Sequence, residues 1–293
     1  MNVLVIGGSG FIGSHVCDDL TSRGHKVTIF DKHTSQWMNG NQKMVLGDIM
    51  DLDLLEQCIS QANVVYHLAA IADIKEAKKN PIDTININIV GSVNIIDLCV
   101  KYSARLVYGS TVYVYSKHGS FYRASKQSVE TLIEEYHSIY NLEYTIIRYG
   151  SLYGPRSQDW NGLKRIVSSM LKNREIVYGG TGGERREYIH VVDAARMSVD
   201  ILDGSYNTQA ITLTGTQVLT SLDLLNTIAE ILDYDIKIKF DKNSTIHSHY
   251  LLTPYQYIPK RSVKLISNEY VDIGQGILEL ISEVENKENK EKI

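Results

Sequence analysis

The sequence predicts an α/β protein: a doubly wound parallel sheet with helices on both faces, followed by a smaller α+β region. Three observations predict it. Short, β-branched apolar runs alternate with longer segments of helical period through the first half of the chain. Those runs are apolar on both faces, as strands buried between two helical layers must be. A glycine-rich turn joins the first run to the first helix.

The strand-like runs are 3–6, 27–30, 44–46, 64–67, 105–108 and 144–147. Between them, 11–22, 53–60, 82–101 and 123–140 carry helical periodicity. Right-handed crossovers between parallel strands then give a doubly wound sheet. After about Arg148 the pattern changes. Segments 163–172, 192–202 and 222–232 read as helices, and 211–214 and 236–240 as short strands among glycine-rich or polar loops. Residues 1–150 are expected to form the main domain, with later segments returning to it, and 151–284 the α+β region. Residues 285–293, almost entirely Lys, Glu and Asn, read as a charged flexible tail.

Composition narrows the function. A net charge of -4 over 293 residues leaves no basic field for nucleic acid or an anionic membrane. An anionic ligand therefore needs local devices, such as a helix N-terminus or an arginine. Cys17, Cys58 and Cys99 lie in apolar stretches without a CxxC pair or a nearby histidine, and read as core residues rather than metal ligands. No unbroken apolar run of membrane-spanning length and no leader pattern occurs, so a cytoplasmic protein is expected.

Gly7-Gly8-Ser9-Gly10-Phe11-Ile12-Gly13 ends the first strand and opens the first helix. The spacing of Gly7, Gly10 and Gly13 lets backbone approach a pyrophosphate and turns the N–H groups at Phe11 and Ile12 toward it. A structural turn would use the same residues, but Asp31 ends the second strand about 20 residues on, where an acid accepts from a ribose 2′-hydroxyl. Together they predict a Rossmann-type dinucleotide site, and the Asp31 carboxylate is expected to favour NAD over NADP, with Lys32 weakening that preference. Asp48 and Ile49 after the third strand are placed beside the adenine. Leu68, Ala69 and Ala70 after the fourth are small or apolar where backbone must approach the cofactor. His67, ending that strand, reads as a packed, hydrogen-bonded imidazole.

Tyr122 and Lys126 share one face of a helix at i and i+4. The ammonium is expected to lower the phenol's pKa and make Tyr122 an acid/base near neutral pH, with Lys126 also reaching the nicotinamide ribose. Such pairs arise by chance in a chain with 19 tyrosines. Ser110-Thr111 strengthens this one, because it puts a hydroxyl at the end of the fifth strand where it would bond the same substrate oxygen.

Together with Asn88-Ile89-Val90-Gly91, the stretch from Arg148 to Arg156 and that from Arg185 to Asp193, these segments fall in one order over residues 1–200. The chain resembles the extended short-chain dehydrogenase/reductase family, in its nucleotide-sugar epimerase/dehydratase branch. The resemblance implies Thr111, Tyr122 and Lys126 as the catalytic set, and Asn88 and Tyr149 as residues that contact the cofactor or order the site. It also implies Ser151 and Arg186 at the substrate, with Arg186 on the diphosphate, and a homodimer built on helices 82–101 and 123–140. His190 reads as a helix-entry residue.

Three departures bear on the reaction. Val112 and Tyr113 follow Thr111 where the related dehydratases carry Asp-Glu and the decarboxylases a nearby glutamate, so elimination and decarboxylation lack their acid and base. The link 114–121 is short, which leaves the sugar pocket open or closed by another group. Ser151 replaces the usual asparagine. The reading is 4-epimerisation of a nucleotide-diphosphate sugar through a 4-keto sugar. The alternatives are a keto-sugar reductase or dehydrogenase, and a non-catalytic NAD-sensing protein on the same fold. Further on, His247, His249, Tyr250, Tyr255 and Tyr257 read as a pocket-lining loop rather than a metal site, with Lys260 and Arg261 as further diphosphate contacts.

Overall fold

Each apolar run of the first half becomes a strand because its alternate residues are claimed by two different cores. The computed structural model describes residues 1–233, 235–241 and 251–254. Its strands are β1 (Asn2–Ile6), β2 (Lys26–Asp31), β3 (Gln42–Leu46), β4 (Val64–His67), β5 (Arg105–Thr111) and β6 (Tyr144–Tyr149). They continue with β7 (Ser151–Tyr153), β8 (Glu175–Gly179), β9 (Arg185–His190), β10 (Gln209–Leu213), β11 (Val218–Thr220) and β12 (Lys237–Asp241). The helices are α1 (Phe11–Ser22), α2 (Leu52–Ile59), α3 (Ile74–Lys79), α4 (Pro81–Ile85), α5 (Gly91–Lys101), α6 (Ser120–Tyr140), α7 (Gly162–Asn173), α8 (Val191–Asp200) and α9 (Ser221–Leu232).

Seven strands form one parallel sheet in the order β10-β6-β5-β4-β1-β2-β3. On β1, Leu4 and Ile6 pack with α2, α5 and α6 residues such as Leu55, Ile95 and Ile133, while Val3 and Val5 pack with Val16, Leu20 and Val199 on the other face. The strand order reverses between β1 and β4, and an open α/β sheet takes its ligand at the carboxyl ends beside that reversal.

Residues 82–101 were expected as one helix. The structure divides them into α4, a π-helical segment (Asn86–Val90) and α5. A π turn widens the helix by one residue and turns Asn88 inward, where it is fully buried. By length and composition Pro81–Lys101 could cross a membrane, but here Ile95, Ile96 and Cys99 lie in the sheet's core.

The second half holds the corrections. Segment 211–214 was expected in the α+β region; β10 instead pairs in parallel with β6, Ile211 beside Ile147, and completes the main sheet. The short strands β7, β8, β9 and β11 and helix α3 were not expected. Arg185-Arg186-Glu187 carries no apolar alternation, and becomes a strand only because β7 and β11 pair with its two edges. A small core of Met170, Ile176, Leu224, Leu225 and Ile228 joins α7, α9 and β8. The expected tail 285–293 and the segment from His247 to Tyr250, with Tyr255, Tyr257, Lys260 and Arg261, lie outside the described residues.

Candidate active site

A cleft of about 1570 Å³ runs along the carboxyl ends of the main sheet, from the glycine turn to β9. Gly7 has φ +87°, and a Cβ there would lie 2.5 Å from the Ala69 nitrogen; a Cβ on Gly13 would lie 2.2 Å from the Gly7 oxygen. The turn and the Leu68-Ala69-Ala70 segment therefore touch backbone to backbone. Gly10 caps α1 without a side chain and no acid occupies the first turn, so the N–H groups at Phe11 and Ile12 face the cleft bare.

Asp31 sits at the end of β2 with each carboxylate oxygen taking one backbone N–H at 3.0 Å, from Ser9 and His33. Each oxygen keeps lone-pair capacity for a ribose hydroxyl. Lys32, Asp48 and Ile49 line the same end. A Cβ on Gly91 would fall 2.4 Å from Ile49 Cδ1, so that glycine makes room for the Ile49 wall. This cradle, with its exposed N–H groups and its carboxylate, fits a dinucleotide.

Thr111 ends β5 and is buried; its Oγ1 accepts from the Tyr113 N–H at 3.3 Å and it shares a hydrogen bond with the Tyr122 phenol. Lys126, one turn further along α6, is buried with Nζ donating to the Gly109 carbonyl at 2.6 Å and lying 6.0 Å from the Tyr122 ring centre. The expected lowering of the phenol is reversed here. Burial pushes Tyr122 up to about 12 and Lys126 down to about 7, because loss of water costs both charged forms.

The remaining expected residues divide. Ser151 on β7 and Arg186 on β9 line the cleft with Tyr149. The Tyr149 hydroxyl turns away to Ser198 at 2.7 Å, so only its ring faces the site. Asn88 does not line the cleft: its amide bonds the Ile71 N–H (2.8 Å), the Ile71 carbonyl (3.1 Å) and the Ser125 hydroxyl (3.0 Å), tying the loop after β4 to the Tyr122–Lys126 helix. His67 is buried against Ser92 (2.7 Å), and burial takes it down to about 3. His190 caps α8 through Val192.

Sequence reading missed Trp160, Arg165, Lys172 and Tyr178, which line the far wall of the cleft. Arg165 and Lys172 share a face of α7, which was foreseeable; that this face turns to the cleft was not. No group of three or more His, Cys, Asp or Glu able to hold a metal occurs among the described residues, and Cys17, Cys58 and Cys99 are free thiols.

Fold and cleft together define a dinucleotide-dependent α/β enzyme. The chain belongs to the NAD-dependent epimerase/dehydratase family, whose model matches residues 3–211. It is 34% identical over 224 residues, 69% of this chain and 73% of the other, to a Methanocaldococcus jannaschii protein named as a candidate UDP-glucose 4-epimerase. It is 31% identical over 237 residues, 72% and 74%, to a UDP-N-acetyl-α-D-glucosaminuronate decarboxylase of Bacillus cytotoxicus. Among solved structures, UDP-glucose 4-epimerase of Thermotoga maritima with UDP-glucose matches with a TM-score of 0.80 and 26% identity over 88% of this chain and 90% of that one. Epimerases and decarboxylases thus both stand among its relatives, and NAD is the family's cofactor.

Proposed function

We propose that the chain is an NAD-dependent 4-epimerase of a nucleotide-diphosphate sugar. The observation that carries this reading is the group Thr111, Tyr122 and Lys126 at the cleft with no carboxylate beside Thr111: Val112 is buried and Tyr113 lines the cleft in its place. Elimination and decarboxylation need an acid or base there. Oxidation and re-reduction of one carbon need only a proton relay.

Thr111 and Tyr122 are close enough to share the C4 hydroxyl. Tyr122 as phenolate accepts its proton as the C4–H bond breaks, then returns the proton to the same oxygen once the 4-keto sugar has turned its other face. The phenol, held near 12 by burial, needs a cation beside it, and the protonated form of Lys126, one turn along the same helix, supplies it. NAD, when bound, takes up and gives back the hydride. Arg186 supplies positive charge for the diphosphate in an otherwise acidic protein. On this reading residues 1–150 hold the cofactor and 151–284 the substrate.

A homodimer through the helical face is part of the proposal. Ile82 and Ile85 on α4 and Val90 in the π-helical segment are exposed, as are Phe121, Ile139 and Tyr140 on α6; sedimentation of a monomer would overturn it. Free thiols throughout the described cysteines fit a reducing compartment, and the cytoplasm is where we expect it. The test of activity is incubation with excess UDP-glucose or UDP-N-acetylglucosamine. The C4 epimer should accumulate with no net NADH absorbance. Stoichiometric NADH without an epimer would assign an oxidoreductase, and carbon dioxide from a uronic-acid nucleotide would assign a decarboxylase.

A further inference from the structure

Four residues adjoining the candidate catalytic groups, Ser110 and Glu130 buried and Arg148 and Tyr115 half-buried, meet in one knot. Ser110 on β5 and Arg148 on β6 are register partners, one residue before Thr111 and Tyr149, which are partners in turn. Glu130 lies on α6 one turn beyond Lys126. Arg148 grips its carboxylate through Nη2 at 2.6 Å to Oε2 and Nε at 3.1 and 3.2 Å to the two oxygens. The Ser110 hydroxyl donates to Oε1 at 2.5 Å. Arg148 Nη1 donates to the Tyr115 hydroxyl at 2.5 Å, and the guanidinium lies 4.8 Å from that ring's centre. The side chains of the ion pair are 16% and 8% exposed.

We propose that Arg148, gripped by Glu130, is a positioning residue for this site, locking the ends of β5 and β6 and the short link after Thr111 onto the helix that carries Tyr122 and Lys126. A guanidinium is a rigid planar fork, and here its donors reach two elements at once while a third, Ser110, meets it on the same carboxylate. The short link 114–121 is thereby anchored: Tyr115 is held by Arg148, Val114 by Gln127 (2.6 Å) and Ser116 by Arg123 (3.0 Å). This inference rests on the reading of Thr111, Tyr122 and Lys126 as the reaction centre.

The pair also sets charge beside Lys126. The groups facing that amine are Tyr122 and Glu130 from α6, Tyr108 from β5 and His67 from β4, with Arg148 of β6 behind Glu130. Glu130 is the anion among them and Arg148 offsets it. Removing either partner strips the other bare, so the two single variants shift Lys126 in opposite directions.

The test reads Lys126 directly: trace acetic anhydride labels the purified full chain across a pH series, and mass spectrometry gives the midpoint of Lys126 reactivity. Glu130→Gln should lower that midpoint by about one pH unit or more, Arg148→Gln should raise it similarly, and the double variant should return near the parent. Movement of both single variants in one direction, or no movement, overturns the charge role. Should the single variants fail to fold, Arg148→Lys keeps the charge but not the fork. It should leave the midpoint in place and lower kcat about tenfold or more with KM little changed; full kcat in a folded Arg148→Lys protein overturns the positioning role. Tyr122→Phe run alongside separates the two readings: if it keeps full turnover, the proposed reaction centre falls, and the labelling midpoints still decide the charge coupling.

Discussion

Along the cleft, the wall from Gly7 to Ala70 brings backbone into close approach at Gly7 and Gly13, whereas the wall from Ser151 to Arg186 includes the long side chains of Trp160, Arg165, Lys172, Tyr178 and Arg186. On the first wall, positions such as Gly7 and Gly13 have no room for a Cβ, and Asp31 is the one carboxylate held by two backbone N–H groups at the strand end. On the second, residues of the separate elements β7, α7, β8 and β9 line the cleft, among them Ser151, Arg165, Lys172, Tyr178 and Arg186. A wall of backbone suits a ligand that never changes. A wall of separate side chains can be altered one residue at a time without disturbing the sheet, which suits the part of the ligand that differs between relatives acting on different sugars.

Between the two walls stands Tyr122, and its loss should have the largest effect. Tyr122→Phe should lower turnover by about a hundredfold or more while NAD binding stays unchanged, since the proton relay goes and the cradle remains. Unchanged turnover in steady-state assays would break the division of labour proposed for the cleft.

On the backbone wall, NAD should bind more than tenfold tighter than NADP, and Asp31→Ser should narrow that ratio. Tenfold is about 1.4 kcal/mol, within reach of one ribose hydrogen bond against one phosphate repulsion. Equal affinities in titrations of the parent protein would shift the role to Lys32. On the side-chain wall, Arg186→Ala should raise KM for the nucleotide sugar by roughly tenfold, the scale of one charge-assisted hydrogen bond, and leave the NAD dissociation constant alone. A change in NAD affinity of the same size would show that the two walls are not separable.

A separate effect, read in stability rather than in turnover or affinity, is expected in acid. His67 is buried and stays neutral in the folded chain down to about pH 3, whereas in the unfolded chain it takes a proton near its ordinary value of 6.5. The unfolded state therefore binds more protons between those limits. Stability should fall as pH drops through that window, by about 1.4 kcal/mol per pH unit from this group alone. Denaturant melts of the parent and of His67→Gln across that range would measure the difference; parallel slopes would remove His67 as the cause.

Much of the first wall was legible in the sequence because each of its constraints is local. Gly7, Gly10 and Gly13 lie within one turn, Asp31 ends the next strand, and Tyr122 and Lys126 share a helix face. Asn88 was legible as a residue of the site but not in its placement. Only the π turn and the packing of the loop after β4 show that it holds Ile71 and Ser125 rather than facing the cleft. The second wall was largely hidden, because Arg185-Arg186-Glu187 has no strand signal of its own and β10 joins the main sheet from 60 residues beyond β6.

By itself the sequence determined the parallel sheet of the first half, the glycine-rich turn that opens the first helix, the acid Asp31 at the end of the second strand and the pairing of Tyr122 with Lys126 on one helix face. Strand periodicity, glycine spacing and helix pitch act over a few residues and need no partner to be read. Only the tertiary structure decided that burial raises Tyr122 and lowers Lys126, that the Tyr149 hydroxyl turns to Ser198, and that Ser110, Tyr115, Glu130 and Arg148 close into one hydrogen-bonded knot. Desolvation and ion pairing depend on which distant groups exclude water from a side chain, and that is fixed only when the separate elements pack.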